Sequence, residues 1–294
     1  NMLREEQRAR QRAPLDNEIF AEICRVADAS KTEESANALL CNIITLSHYI
    51  APCLSEYAQK NQKKVDVHTY PLGSTVIKAF TTNDFIFFNS KKHIVEDLST
   101  SSIESVTAVK ITWRIQKNRQ NGQSITLAAD TKSKDLCPVL SAARMVLRAR
   151  RLLQPDDMPL AIYKTKKGES LYLTGCKIAE LLRGSVKRIR PDTPVEDIKR
   201  YSAHSLRVWA CVLLDESGKS PDYIKKRLRW LGDSFRMYLR DTLVIQQQHV
   251  DALQLASQEV LDLISALPED VIALSTMTDD TADSNTFEYA DKMD

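Results

Sequence analysis

The chain has 294 residues, 27% of them charged and 43% hydrophobic, with only 7 glycines and 10 prolines. That balance excludes a fibrous or low-complexity chain and suits one large domain or two small ones. The net charge of +2 conceals an asymmetry: residues 251–294 hold eleven acids and one lysine, so a strongly acidic tail follows a basic body, and a basic body suits a polyanionic partner.

Residues 1–13 are polar and Arg-rich and read as an arm or linker stub. From Leu15 to Ala29 the apolar positions Ile19, Phe20, Ile23, Val26 and Ala27 recur at helical spacing. A second helix is expected from about Glu34 to Lys60, interrupted at Pro52, which has no N–H to give to a helix. Three strands follow, at Asp84 to Phe88, Val106 to Ile115 and Gln123 to Ala128, and Asn121-Gly122 is the turn signal between the last two.

After Cys137-Pro138 the pattern is helical again. Val139 to Leu153 carries Arg144, Arg148, Arg150 and Arg151, most simply its solvated face. Further helices are expected at Thr174 to Ile189, Val195 to Tyr201 and His204 to Glu216. Ser220-Pro221 caps another at Tyr223 to Leu231, and short and long ones follow at Asp233 to Arg240 and Val244 to Leu267. Residues 268–294 form an acidic tail expected to be disordered. The fold class is therefore mainly α with one small antiparallel β-sheet (α+β).

The longest apolar runs, Phe85 to Phe88, Val208 to Leu214 and Val271 to Leu274, are far shorter than the ~18 residues of a membrane span. The N-terminal residues show no apolar signal core, so an intracellular protein with no membrane partner is expected. Cysteines at 24, 41, 53, 137, 176 and 211 have neither zinc-knuckle nor redox-pair spacing, and the histidines at 48, 68, 93, 204 and 249 form no i, i+4 pair. Reduced thiols and no metal are expected.

The informative stretch is Ala203-His204-Ser-Leu-Arg207, followed by Arg229-Trp230-Leu-Gly-Asp-Ser-Phe-Arg-Met-Tyr238-Leu-Arg240. His204 and Arg207 stand at i, i+3, on one face of a helix N-terminus whose free amides favour an anion. A helix, a glycine-containing turn and a second helix can return Trp230 and Tyr238 to the same cleft. Taken singly, His204 and Arg207 could be a capping pair with a surface ion pair, and Trp230 and Tyr238 ordinary core aromatics. Their joint spacing favours a site.

His-x-x-Arg, then Trp, then Tyr at this spacing resembles the C-terminal signature of the tyrosine recombinases (the phage-integrase family), closest to integrase-like recombinases of eukaryotic mobile elements. The likeness covers residues 14–242, the catalytic domain, and the family's N-terminal core-binding domain is expected to be absent. The resemblance implies cleavage of double-stranded DNA by Tyr238 through a 3′-phosphotyrosyl link, with no metal or nucleotide cofactor. It implies Lys117, on the β-hairpin, as the acid that protonates the leaving oxygen. His204 assists proton transfer, Arg207 neutralises the phosphate, and Trp230 packs beside it. The family's first box, Arg-x-x-Glu/Asp, falls on Cys53-Leu-Ser-Glu56: Glu56 fits, and Cys53 stands in the arginine slot. Losing one such guanidinium costs on the order of 10³–10⁵ in rate. Lys60, Lys63 and His48 are the nearby bases, and spacing selects none of them.

Lys91, Lys92, Arg229 and Arg240 are candidate DNA contacts. The helix at Val244 to Leu267 either folds back on its own domain or, as the resemblance implies, docks on a neighbouring copy in a tetramer. A nuclear location follows from the likeness to eukaryotic elements. Two other readings stay open: a decayed recombinase that only binds DNA, and a helix-turn-helix regulator built on residues 204–231. The regulator would leave the sheet and Lys117 without a role.

Overall fold

The computed structural model describes residues 12–30, 32–116 and 121–239, and beyond them positions 247, 248, 250, 251, 254, 258 and 262. Two compact units are present, Asn1–Arg240 and Asp241–Asp294. The described positions of the second unit are helical, with i, i+4 bonds from Gln247 to Asp251 (2.7 Å) and from Gln258 to Asp262 (2.8 Å). Residues 268–294, expected to be disordered, lie outside the described residues.

In the first unit, helix α1 (Asn17–Ala29) starts where Asp16 caps the amide of Ile19, and it buries Ile19, Phe20, Ile23 and Ala27. Helix α2 (Ala36–Ile50) begins at the Ser35 cap and is apolar nearly all round. A helix of that character belongs at the centre. α2 packs against α1 and against two later helices, α4 (Pro138–Arg151) and α7 (His204–Glu216). It breaks before Pro52 as expected, Ala51 turning to φ +38°, but only the single-turn helix α3 (Leu54–Tyr57) follows, short of the expected Lys60.

Strands β3 (Phe85–Asn89), β4 (Val106–Thr112) and β5 (Ser124–Ala128) form the expected antiparallel sheet in that order, with Phe85 opposite Ile111 and Ile111 opposite Ile125. Val109, Ile111 and Leu127 point into the core, on the side that α4 covers. The β4–β5 hairpin is closed by Trp113 N–H to Gln123 O (2.8 Å) and Gly122 N–H to Trp113 O (2.7 Å).

The expectation of a single sheet is corrected. Two further two-stranded sheets exist, β1 (Val67–Thr69) with β2 (Thr75–Ile77), and β6 (Ile162–Lys164) with β7 (Ser170–Tyr172). Strands of three residues are too short to show an alternating pattern. Their turns rest on Gly73 and Gly168, at φ +84° and +87°. The solvated arginine face of α4 is also corrected at one position. Arg148 is 1% exposed and donates to the Glu33 carbonyl, and burial lowers its pKa to about 10.

Helix α5 (Gly175–Ile189) is capped by Thr174, and α6 (Val195–Lys199) leads to α7. Ser220 caps α8 (Pro221–Arg227), with Pro221 in its first turn as expected. α8 stops short of Leu231 because Arg229 adopts φ +60°. The short helix after it is a 3₁₀ helix, Asp233–Tyr238. A second small core of Ala51, Ala210, Cys211, Ile224, Leu228 and Phe235 ties the end of α2 to α7, α8 and this 3₁₀ helix, and Trp230 and Tyr238 pack on it. Among the described residues no helix is long and apolar enough to cross a membrane.

Candidate active site

The 3₁₀ helix carries Tyr238 back to the first turn of α7. Its ring meets His204 edge-on at 5.1 Å between centroids and lies 5.3 Å from Trp230. Arg207, one turn along α7 from His204, lies over the Trp230 ring with its guanidinium carbon 4.2 Å from the centroid. Cation–π stacking of this kind holds the guanidinium plane without consuming its N–H donors. His204, Arg207, Trp230 and Tyr238 thus form one contiguous group, half-buried at the surface.

Cys53 belongs to the same group. Arg207 Nη1 donates to Cys53 Sγ at 2.6 Å, and Nη2 reaches the Leu228 carbonyl at 3.5 Å. Position 53, where the resemblance expects an arginine, therefore lies against Arg207. Burial, and then the Glu56 carboxylate, push the Cys53 thiol above its ordinary value, against the opposing pull of Arg207. The slot holds a neutral thiol at neutral pH.

Glu56 is 4% exposed. Its Oε2 accepts the Cys53 N–H (2.8 Å), the Trp113 indole N–H (3.2 Å) and Arg229 Nη2 (3.1 Å), while Oε1 takes Arg229 Nη1 (3.3 Å). The Arg229 guanidinium stacks on Trp113 at 3.8 Å. Trp113 and this pairing of Arg229 are the features sequence reasoning missed. The sequence separation of 173 between Glu56 and Arg229 leaves no local signal.

Among the described residues, two buried donors of the group, Arg207 Nε and Trp230 Nε1, have no hydrogen-bond partner. An unmet buried donor costs about 1–3 kcal/mol, so the pair favours an arriving acceptor. His204 is held below its ordinary pKa, first by burial and then by Arg207 and Arg12. It is a neutral imidazole able to accept a proton. Beside the group opens a cleft of ≈ 580 Å³ whose basic lining is Lys225, Lys226, Arg227 and Arg229. The run Lys225-Lys226-Arg227 at the end of α8 is the sequence signal for this lining.

Compared with protein-family models and with curated proteins, the sequence matches none of either. The reading of the site therefore rests on its chemistry.

Lys117 and Arg240 lie outside the described residues; the flanks of Lys117 are joined by Gln116 N–H to Asn121 Oδ1 (2.8 Å). Lys91 and Lys92 are exposed and follow Asn89, which pairs with Val106 at the end of β4 away from Trp113. At about 3.3 Å per residue along a strand, that loop is not part of the group. Among the described residues no cluster of His, Cys, Asp or Glu can hold a metal ion.

Proposed function

We propose that the chain is a tyrosine recombinase of a mobile element, which cleaves and rejoins double-stranded DNA. What supports the reading is the convergence of Tyr238, His204, Arg207 and Trp230, with Cys53 at 2.6 Å from Arg207 in the first-arginine slot. Residues from three separate stretches, at 53, 204–207 and 230–238, meet in one group suited to attack on a phosphodiester.

In this reading the Tyr238 oxygen attacks phosphorus and its proton passes to His204. The bond from phosphorus to the 5′ oxygen breaks, and that oxygen takes a proton from Lys117 and leaves as a 5′-hydroxyl. The tyrosyl oxygen keeps the 3′-phosphoryl group, so the phosphodiester energy is stored and rejoining needs no nucleotide. Arg207 and the Trp230 N–H meet the charge that grows on the non-bridging oxygens, where preorganised donors are worth most. Double-stranded DNA is the partner, a tetramer coupled by residues 244–267 the working assembly, and the nucleus the compartment.

The neutral thiol at position 53 favours one second reading, a recombinase that has lost cleavage and retains binding. The experiment is SDS trapping of protein on negatively supercoiled plasmid, comparing the chain with Tyr238→Phe and Cys53→Arg. An adduct abolished by Tyr238→Phe supports the enzyme. An adduct formed only by Cys53→Arg selects the decayed form, and none from any chain overturns strand cleavage.

A further inference from the structure

We infer that Arg229 supplies the second guanidinium that position 53 lacks; the inference rests on the strand-cleavage reading above. A pentacovalent phosphoryl group carries negative charge on both non-bridging oxygens, more than the single positive charge of one guanidinium offsets. Arg207 already gives Nη1 to Cys53 and points Nη2 at the Leu228 carbonyl. A second cation must come from elsewhere in the site.

The bases nearest in sequence to position 53 are placed otherwise. His48 sits against Phe20 and Trp209, with centroids at 5.6 and 4.2 Å, and burial lowers its pKa to about 4. The exposed Lys60 is in a segment bound to Asp66 through its backbone, and Lys63 lies 4.0 Å from Glu169.

Arg229 is built into the site. Glu56 binds the Cys53 amide with the same oxygen that takes Arg229 Nη2, so one carboxylate fixes the backbone of position 53 and the fork of Arg229. Stacking on Trp113 at 3.8 Å fixes the plane of that fork. The next residue, Trp230, stacks on Arg207, and the carbonyl that Arg207 reaches belongs to Leu228. Arg207 thus contacts both neighbours of Arg229 along the chain, Leu228 and Trp230. Arg229, nearly buried at 12% side-chain exposure, also lines the ≈ 580 Å³ cleft, and that edge is where a phosphate would meet it.

The backbone at Arg229 has φ +60°, a conformation that side-chain-bearing residues adopt at a cost and that recurs at functional sites. It ends α8 and turns the side chain back toward Glu56. On substrate binding the fork shares its N–H groups between Glu56 and a non-bridging oxygen, and Glu56 acts as the positioning residue.

The test is the rate of supercoiled-plasmid relaxation by the full chain in a double-mutant cycle of Arg229→Lys and Cys53→Arg, with thermal unfolding of each variant. Lysine keeps a charge opposite Glu56 and removes the fork. The expected result is a loss of at least about 100-fold for Arg229→Lys alone. Adding Cys53→Arg should bring the rate back to within about tenfold of Cys53→Arg itself. Where Arg229→Lys lowers the thermal midpoint, the pair Arg229→Gln/Glu56→Gln, which removes both charges together, carries the same comparison.

Equal losses in the two backgrounds would make Arg229 a structural partner of Glu56 and overturn the inference. So would a native rate in Arg229→Lys. A chain inactive as it stands but active as Cys53→Arg would overturn the inference and leave the decayed recombinase. No relaxation by any variant would overturn the strand-cleavage reading, and the inference with it.

Discussion

His204 shows how burial sets the chemistry available to a single side chain. Its pKa is lowered below the ordinary 6.5 by desolvation, then by Arg207 and Arg12, so its neutral, proton-accepting form persists on acidification. Relaxation should therefore hold its rate as pH falls through 6.5 and decline only below it. His204→Gln should be slow and lack that acidic limb. A native rate already halved at pH 6.5 would contradict the burial argument. His48 offers the corresponding statement about stability. Its folded-state pKa of about 4 lies below the ordinary 6.5, so the unfolded chain takes up a proton that the folded chain refuses. The stabilisation is complete above pH 6.5 and is lost as pH falls from 6.5 toward 4, by about 3 kcal/mol. Urea unfolding at pH 7 and pH 4.5 should show a fall that His48→Leu largely removes.

At the scale of elements, Glu56 is the knot between α3, the hairpin at Trp113 and the end of α8. Its partners come from positions 53, 113 and 229, and both members of the ion pair are nearly buried, at 5% and 12% side-chain exposure. Removing one partner of such a pair leaves a buried charge unmatched, which costs about 3–5 kcal/mol. Glu56→Ala should lose stability of that order in urea unfolding. A loss within about 1 kcal/mol would mean that the site is held by the small core around Leu228 and Phe235 instead.

The boundaries of these elements mark what was legible beforehand. Pro52 and Ser220-Pro221 each have a local physical meaning, and the chain obeys both. The three-residue strands lacked enough residues for a period, and the burial of Arg148 is set by Glu33, 115 residues away.

Across the whole molecule the same division holds for the candidate site. His204, Arg207, Trp230 and Tyr238 lie within 35 residues and could be grouped from their joint spacing and the resemblance it carries. The partnership of Arg229 with Glu56, and the position of Trp113 between them, depend on long-range packing that no motif encodes. The basic cleft was half visible, as the run Lys225-Lys226-Arg227. If that cleft carries DNA backbone, Lys226→Gln should weaken binding to a random-sequence duplex and lower the slope of log affinity against log salt by about 1. An unchanged slope in fluorescence anisotropy would place the backbone elsewhere.

The most direct measurement is the polarity of a covalent link. A duplex cut from a relaxed plasmid is labelled on either the 5′ or the 3′ end of the same strand, incubated with the chain and denatured in SDS. The account predicts that protein retains the 5′-labelled fragment, which ends in the 3′-phosphate, and that Tyr238→Phe retains neither. Retention of the 3′-labelled fragment, or an adduct that survives Tyr238→Phe, would contradict it.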